Sequence, residues 1–382
     1  MKRSIEAEIN KKTLENNIHK RKAEVFYQRK KLARKQAMKQ VDFECIAMDF
    51  QKNLPMPNLS TNEIYYKRQL TLHSFNIHVL STNSATFYCY PEIIGRKGSN
   101  DVASLLHYFI FVQLSSKVRH LRIFCDSCGG QNKNFTVFRY LHYVVHVVKR
   151  LDTIQVIFPV RGYSYMECDR DMALINQKIP AELPEDWFNK IKSCRVKPEP
   201  FTVIEVDQAL LRNWTELLDL IYITKHSYKS REIREVKISQ EQPRLIEFRN
   251  TYNGCWNTSI IRKHIVASKN TITPKLPDGQ FVLPHKLYFD LKPISAGKYR
   301  DLMDLKELCS TEKAINYYGN LPHSYTLRIM PKANDKKPCK KGKEGDEKLK
   351  KRREEKKLSM RRAREKLKSD PVKHEEDYNI II

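Results

Sequence analysis

The sequence predicts an α/β fold between about residues 43 and 180, with a mixed β-sheet flanked by helices, and three observations support it. From Phe43 to Ile94 the apolar residues follow the two-residue period of β-strands. Between Asn100 and Ser116 the period changes to that of a helix. After that helix, short apolar runs alternate with helical segments. Such a change from strands to alternating helices and strands is typical of α/β domains.

The predicted elements follow one another in a definite order. Three strands are predicted at Phe43–Asp49, Tyr65–Leu80 and Ala85–Ile94, and Ser81–Ser84 form a natural hairpin turn. The later elements are helices at Asn100–Ser116, Asn134–Lys149 and Cys168–Gln177, and strands at Leu121–Cys125 and Thr153–Val160. Three antiparallel strands followed by alternating helix and strand is the order of the ribonuclease-H-like fold. We therefore predict a ribonuclease-H-like domain at residues 43–180.

Three further segments flank this domain. Residues 1–42 predict a basic helix with a weak apolar stripe, which consists of Ala23, Phe26, Tyr27, Ala33, Ala37 and Met38. Residues 181–330 contain strand and helix signals without a catalytic signature, and we interpret them as an α+β accessory region. Residues 331–382 are rich in Lys and predict a basic tail, either disordered or helical. Within this tail, Lys350–Arg353 has the composition of a nuclear-import patch.

The net charge of +26 is concentrated in the two ends of the chain. Residues 1–40 carry 13 Lys or Arg against 4 Asp or Glu, and residues 332–370 carry 18 against 8. A chain this basic suits a polyanion, and we expect DNA, with solvated tails that bind nothing specific as the alternative. We find no signal-peptide pattern and no apolar run long enough to span a membrane. A nuclear location is therefore expected, with the cytoplasm as the alternative, and the sequence leaves a homo-oligomer open.

Four aspartates fall where a ribonuclease-H-like fold places its acids. Asp49 lies in the first strand, Asp126 follows the fourth, and Asp169 and Asp171 open the last helix. The first and fourth strands of this fold are neighbours, so their carboxylates repel unless a cation neutralises them. We therefore predict a site for two Mg²⁺ or Mn²⁺ ions, which prefer oxygen ligands. The alternative is that each Asp ends a strand or caps a helix; the sequence leaves the choice between Asp169 and Asp171 open, with Glu167 a weaker candidate.

The segment from Cys125 to Asn134 connects the fourth strand to a helix. Gly129 and Gly130 permit a positive φ, and the amides before the helix suit a phosphate. The candidate phosphate contacts in and after this segment are Gln131, Asn132, Lys133, Asn134, Arg161 and Arg170. The alternatives are an ordinary strand-to-helix turn and, for Arg170, an ion pair with a neighbouring acid. Cys125 and Cys128 form a lone pair, too little for a metal site, and one of them is expected in the core.

Several of these strings resemble a family of transposon-related proteins of animal genomes, described as transposase-like and grouped as a domain of unknown function. The resemblance spans about residues 15–325. It rests on Asp49–Pro57, Tyr65–Leu70, Phe75–His78, Asp126–Asn134 and Arg161–Asp171, of which Gly129–Asn134 is the most specific. The resemblance implies a transposon-derived, transposase-like protein, and the nuclease reaction is inferred from the acidic residues rather than from the family.

The chain departs from the family pattern at two places. Family members usually carry His where this chain has Tyr163, and they tend to carry a Cys-x-x-Cys pair, like a zinc site, upstream of the helix that holds His19. The chain begins after that point, so we expect an N-terminally truncated copy. Two functions follow as hypotheses. The first is a transposase- or integrase-like nuclease that acts on DNA phosphodiesters by a two-metal mechanism; the second is an inactive, domesticated relic that binds nucleic acid or protein.

Overall fold

The computed structural model describes residues 2–175, 180–263 and 283–324. The predicted tail at residues 331–382, with Lys350–Arg353, lies outside the described residues. Ten strands of the described residues form one mixed sheet, in the order β10-β9-β8-β6-β5-β1-β3-β4-β7, with β2 paired to β3. The strands are β1 Phe43–Phe50, β2 Leu54–Met56, β3 Leu70–Val79, β4 Ala85–Pro91, β5 His120–Cys125, β6 Thr153–Ile157, β7 Thr202–Glu205, β8 Glu235–Ser239, β9 Leu245–Arg249 and β10 Asn257–Ile260.

Eight α-helices of the described residues cover the sheet. They are α1 Lys2–Ala37, α2 Ser99–Tyr108, α3 Phe135–His146, α4 Glu167–Ile175, α5 Pro184–Ser193, α6 Trp214–Ile221, α7 Ala296–Lys306 and α8 Glu312–Gly319. Short 3-10 helices lie at Asn62–Tyr66 and Ser230–Glu232, and a π-helical turn at Phe109–Gln113 continues α2. The predicted α/β class, a mixed sheet flanked by helices, is confirmed. No helix of the described part of the chain is both long enough and apolar enough to cross a membrane.

The central strands pair as the sequence predicted. β1 runs antiparallel to β3, and β3 runs antiparallel to β4. β5 lies on the other side of β1 and runs parallel to it, and β6 runs parallel to β5. The first predicted strand and the strand that ends at Cys125 are therefore neighbours in the sheet, as predicted. Two local features differ from the predicted elements. Leu54–Met56 form a short strand that was not predicted, and the predicted start of the second strand at Tyr65 falls in a 3-10 helix at Asn62–Tyr66.

Alternation along the strands separates two hydrophobic cores. In β1, Ile46 and Met48 point to one face and Cys45 and Ala47 to the other. Helices α2, α3 and α6 supply buried side chains to the first core. Helices α1, α4, α5, α7 and α8 supply them to the second. The sheet is thus buried on both faces, which is what its parallel centre requires.

The region after residue 180 joins the same sheet at both edges. β7 pairs in parallel with β4 at one edge, and β8 pairs antiparallel with β6 towards the other. β9 and β10 then continue the sheet from β8. The described residues up to Ser324 form one compact unit, and segments on both sides of residue 180 contribute strands to its sheet.

The basic N-terminal helix packs its C-terminal half on the sheet. Ala23, Phe26 and Ala33 are buried, whereas Met38 is exposed, so the predicted apolar stripe holds in its middle only. The ring of Phe26 meets the ring of Phe124 from β5 edge to face at 5.7 Å. Arg29, on the same part of the helix, forms an ion pair with the fully buried carboxylate of Glu235 in β8. Helix α1 therefore packs on the second core and forms part of it.

Replacing Phe26 by Ala should destabilise the fold by about 3–5 kcal/mol, because the substitution leaves a cavity between α1 and β5. Leu32→Ala, in the same helix, is the matched control, since the Leu32 side chain is 63% exposed. Urea unfolding followed by circular dichroism measures both free energies. Equal losses in the two variants would contradict the packing of α1 on the sheet.

Candidate active site

Asp49 and Asp126 extend from neighbouring parallel strands. The register places Ala47 beside Phe124 and Met48 beside Cys125, so Asp49 and Asp126 occupy the next position. Ala47 and Phe124 both belong to the second core, under α1 and α4. Because side chains alternate along a strand, the two carboxylates lie on that same face, at the carboxyl ends of their strands. The fold therefore places Asp49 and Asp126 next to each other, as the sequence predicted.

The carboxylates act on one another electrostatically. Burial raises the pKa of Asp49 to about 8, and the charge of Asp126 adds to this rise. The N–H of Phe50, which donates to Asp49 Oδ1 at 2.7 Å, opposes it. Burial also raises the pKa of Asp169, with a further contribution from Asp126. Asp49, Asp126 and Asp169 therefore share one region of negative potential.

Asp169 and Asp171 have different surroundings, which distinguishes the two candidates that the sequence left open. Two residues along an α-helix differ by about 200°, so the side chains leave α4 on opposite sides. Asp169 accepts a hydrogen bond from the Met166 N–H at 2.6 Å at the start of the helix. Asp171 is buried, with its Oδ2 at 2.7 Å from His78 Nδ1 and its Oδ1 at 3.6 Å from Arg195 Nη1. The structure thus groups Asp169 with the other acids, while Asp171 joins α4 to β3 and to the end of α5.

The loop after β5 orients the Asp126 side chain through a hydrogen bond. Asn132 is fully buried, and its Nδ2 donates to Asp126 Oδ1 at 2.6 Å. The carbonyl of Cys128 accepts the N–H groups of Asn132 and Lys133, both at 3.0 Å, which closes the loop upon itself. Gly129 and Gly130 do not use the positive φ that glycine permits, because among the described glycines only Gly162 has one, at 84°.

Two of the predicted phosphate contacts in this loop are interior residues. Lys133 is buried, and its Nζ donates to the Arg231 carbonyl at 3.0 Å. Asn132 is buried beneath Asp126. As placed, neither side chain is available to a phosphate, which corrects the prediction. Gln131 and Asn134 are half-buried, and Asn134 Oδ1 accepts the Val137 N–H as the N-cap of α3.

The two predicted arginines are exposed, Arg161 in the loop before α4 and Arg170 on α4 itself. The carbonyl of Arg161 accepts a hydrogen bond from His19 Nε2 at 2.7 Å. Arg170 approaches Glu167 to 4.0 Å, which matches the alternative ion pair only loosely. The ring of Tyr163, in the same loop as Arg161, packs against His19 with the ring centres 5.2 Å apart. Helix α1 thus contacts the loop that leads to Asp169.

Two lysines near the acids were missed from the sequence. Lys97 Nζ donates to the Gln51 carbonyl at 2.7 Å, and its charge lowers the pKa of Asp49. Its backbone has φ 58°, held by the buried carboxylate of Asp101, which accepts the Lys97 N–H. Lys30 Nζ pairs with Glu167 at 2.8 Å, and its charge lowers the pKa of Asp169. The Gly-Arg-Lys-Gly sequence around Lys97 is a basic turn that could have indicated a cation near the acids. Nothing in the sequence distinguishes Lys30 from the other basic residues of α1.

The donor chemistry of the acids fits a hard divalent cation. Three carboxylates offer oxygen ligands, and the pKa of Asp49 is raised first by burial and then by the charge of Asp126. Within the described ranges, no group of three or more His, Cys, Asp or Glu side chains is already arranged to hold an ion. Cys125 is buried, as expected for one of the Cys-x-x-Cys pair.

Comparisons with known proteins found no counterpart. No protein-family model matches the chain, and neither a curated protein nor a solved structure does. Its function therefore has to be inferred from the side chains of the site.

Asp171→Ala should destabilise the protein by about 3–5 kcal/mol, because it leaves His78 and Arg195 buried without their carboxylate. Asp169→Ala removes only a helix-capping contact and should lose about 1 kcal/mol. Chemical denaturation of the two variants measures the difference. Equal losses would contradict the assignment of Asp171 to the scaffold.

The contribution of Asp49 to stability, in the absence of divalent metal, should fall as pH rises from about 4 to about 8, the window between its ordinary and its raised pKa. In this window the folded state holds a proton that the unfolded state has lost, so the slope is negative. The difference in unfolding free energy between wild type and Asp49→Asn, measured against pH, isolates this group. A difference that does not vary with pH would contradict a raised pKa.

Proposed function

We propose that the chain is a transposase- or integrase-like nuclease with a ribonuclease-H-like core, which acts on DNA phosphodiesters with two Mg²⁺ or Mn²⁺ ions. The strand arrangement supports this core, because the antiparallel set β4-β3-β1 continues into the parallel strands β5 and β6. The grouping of Asp49, Asp126 and Asp169 is the second observation that supports the proposal. The resemblance noted in the sequence points to the same class.

The convergence of Asp49, Asp126 and Asp169 carries the proposal. All three carboxylates are half-buried, and grouping them does not stabilise a fold, because each charge raises the energy of the others. Here burial and Asp126 together raise the pKa of Asp49 to about 8. Clusters with such perturbed groups are typical of functional sites. A divalent cation removes the repulsion that the fold leaves in place.

The three carboxylates would hold the ions, which activate a water or a 3′-hydroxyl and stabilise the leaving oxygen of a phosphodiester. Asn132 orients Asp126 through its 2.6 Å hydrogen bond. Arg161 and Arg170 are exposed and are suited to the non-bridging oxygens of the substrate. Asp171, through His78 and Arg195, positions the helix that presents Asp169.

The charge distribution favours DNA as the partner. The net charge of +26 attracts a polyanion. Helix α1 contributes exposed basic side chains, mostly from its middle and C-terminal part: Lys11, Lys12, Lys20, Arg21, Lys22, Lys31, Arg34 and Lys35. Binding of this kind releases counterions, so it weakens steeply with salt. A nuclear location follows for a protein that acts on chromosomal DNA.

A second candidate is an inactive relic that binds nucleic acid without cutting it. Asn132 already occupies one oxygen of Asp126, and Asp169 already accepts a backbone hydrogen bond. Both contacts stabilise the acids without an ion. Tyr163 also replaces the His that the resembling family usually carries.

Purified full-length chain should nick DNA when Mg²⁺ or Mn²⁺ is present and not when it is chelated. Asp126→Asn and Asp169→Asn should each lower the rate by more than about 100-fold, since even outer partners of metal sites contribute about 10- to 100-fold. Nicking of supercoiled plasmid, followed by gel electrophoresis, measures the rate.

The matched control is Asp42→Asn. Asp42 precedes the same strand β1 at its opposite end, and its side chain is 60% exposed. This variant should nick like wild type. DNA binding without metal-dependent nicking, in a protein that folds like wild type, would support the relic instead.

A further inference from the structure

The loop between β4 and α2, residues 92–98, carries two consecutive cations at the edge of the sheet that holds the acids. β4 has the same direction as β1, because each of them runs antiparallel to β3. The chain therefore leaves β4 at the edge where Asp49 lies in β1. Neighbouring strands are about 4.8 Å apart, so the ends of β1 and β4 are separated by about 10 Å.

Lys97 extends from this loop towards the acids. Its Nζ donates to the Gln51 carbonyl at 2.7 Å and to Asn53 Oδ1 at 3.0 Å, just beyond the end of β1. The same ammonium group lies 4.8 Å from the centre of the Phe50 ring. An ammonium has three N–H donors, and the described residues use two of them. The third donor of Lys97 suits an anionic oxygen at this edge.

Arg96 is the outer cation of the loop. Its side chain is exposed, and its guanidinium forms no hydrogen bond or ion pair with the part of the chain that the structure describes. Lys292 lies beneath the loop, where its Nζ donates to the carbonyls of Glu92 and Gly95, both at 3.0 Å. Burial lowers the pKa of Lys292 to about 8, and the charge of Arg96 adds to this shift. Positive charges are thus gathered at this loop.

Buried contacts hold the backbone that presents the two cations. Oδ2 of the buried Asp101 accepts the N–H of Arg96 at 2.7 Å, the N–H of Lys97 at 2.8 Å and the hydroxyl of Tyr90 at 3.1 Å. A Cβ at Gly95 would lie 2.6 Å from the Tyr90 ring, so the loop also packs too closely there for any other residue. Held backbone of this kind positions binding groups before a ligand arrives.

Lys97 has a backbone conformation that glycine adopts more easily. Its φ is 58°, in the left-handed region that a Cβ disfavours. Strained residues of this kind cluster at functional sites, where the side chain rather than the backbone explains their presence. The ammonium group that Lys97 places beyond the end of β1 is therefore the feature that needs a role.

We propose that Arg96 and Lys97 bind a backbone phosphate of the DNA strand, within about three nucleotides of the scissile bond. Stacked nucleotides rise about 3.4 Å each, so roughly three of them span the distance of about 10 Å between the ends of β1 and β4. The guanidinium of Arg96 can engage two phosphate oxygens, and the ammonium of Lys97 adds a charged donor. The inference rests on the proposed nuclease, because it takes the acids as the place of the scissile phosphate.

Binding of a fluorescein-labelled DNA duplex to the full-length chain, measured by anisotropy in EDTA at several salt concentrations, tests the contact without any cutting. Arg96→Gln should weaken binding and lower the slope of log affinity against log salt by about 1, because one phosphate contact is lost. Arg96→Lys, which keeps the charge, should retain the slope. Lys97→Gly should act like Arg96→Gln and still fold like wild type, because glycine adopts the φ of 58° without a Cβ.

Lys117→Gln is the matched control. It removes the same charge from an exposed side chain that precedes β5, at the opposite edge of the sheet. This variant should bind with the affinity and salt slope of wild type. A slope that Arg96→Gln and Lys97→Gly leave unchanged, or that Lys117→Gln lowers equally, would overturn the proposal. Binding of an RNA duplex without binding of DNA would overturn it as well.

Nicking of plasmid in Mg²⁺ separates this inference from the proposed nuclease. Arg96→Gln should raise KM for the plasmid severalfold and leave kcat nearly unchanged, because the contact lies away from the scissile bond. A lowered kcat with unchanged KM would overturn the assigned role of Arg96. Absence of nicking in wild type, with the salt slope still lowered by Arg96→Gln, would instead contradict the nuclease while the phosphate contact stands.

Discussion

The parallel pairing of β1 with β5 is the constraint on which the acidic site depends. Parallel strands end at the same edge of a sheet, so Asp49 and Asp126 emerge side by side from neighbouring strands. Alternation directs both side chains to the face beneath α1 and α4. The repulsion between them is tolerated because the sheet is buried on both faces and holds its strands through two separate cores.

Helix α4 completes this arrangement by using its two aspartates differently. Asp171 is tied to His78 of β3 and to Arg195 after α5, which fixes the rotation of the helix. The opposite side of the helix then faces the strand ends and brings Asp169 towards the other acids. Lys30 of α1 pairs with Glu167 in the first turn and anchors the same end. The buried contacts of Asp171 with His78 and Arg195 thus serve to orient the carboxylate of Asp169.

The sequence predicted the central strand order and the adjacency of Asp49 and Asp126, because both follow from local periodicity and from a short chain of elements. The choice between Asp169 and Asp171 depended on the rotation of α4, which contacts with distant residues such as Arg195 determine. The burial of Lys133 depended on Arg231, almost a hundred residues later. The edge strands β7 to β10 depended on long-range pairing that periodicity does not encode.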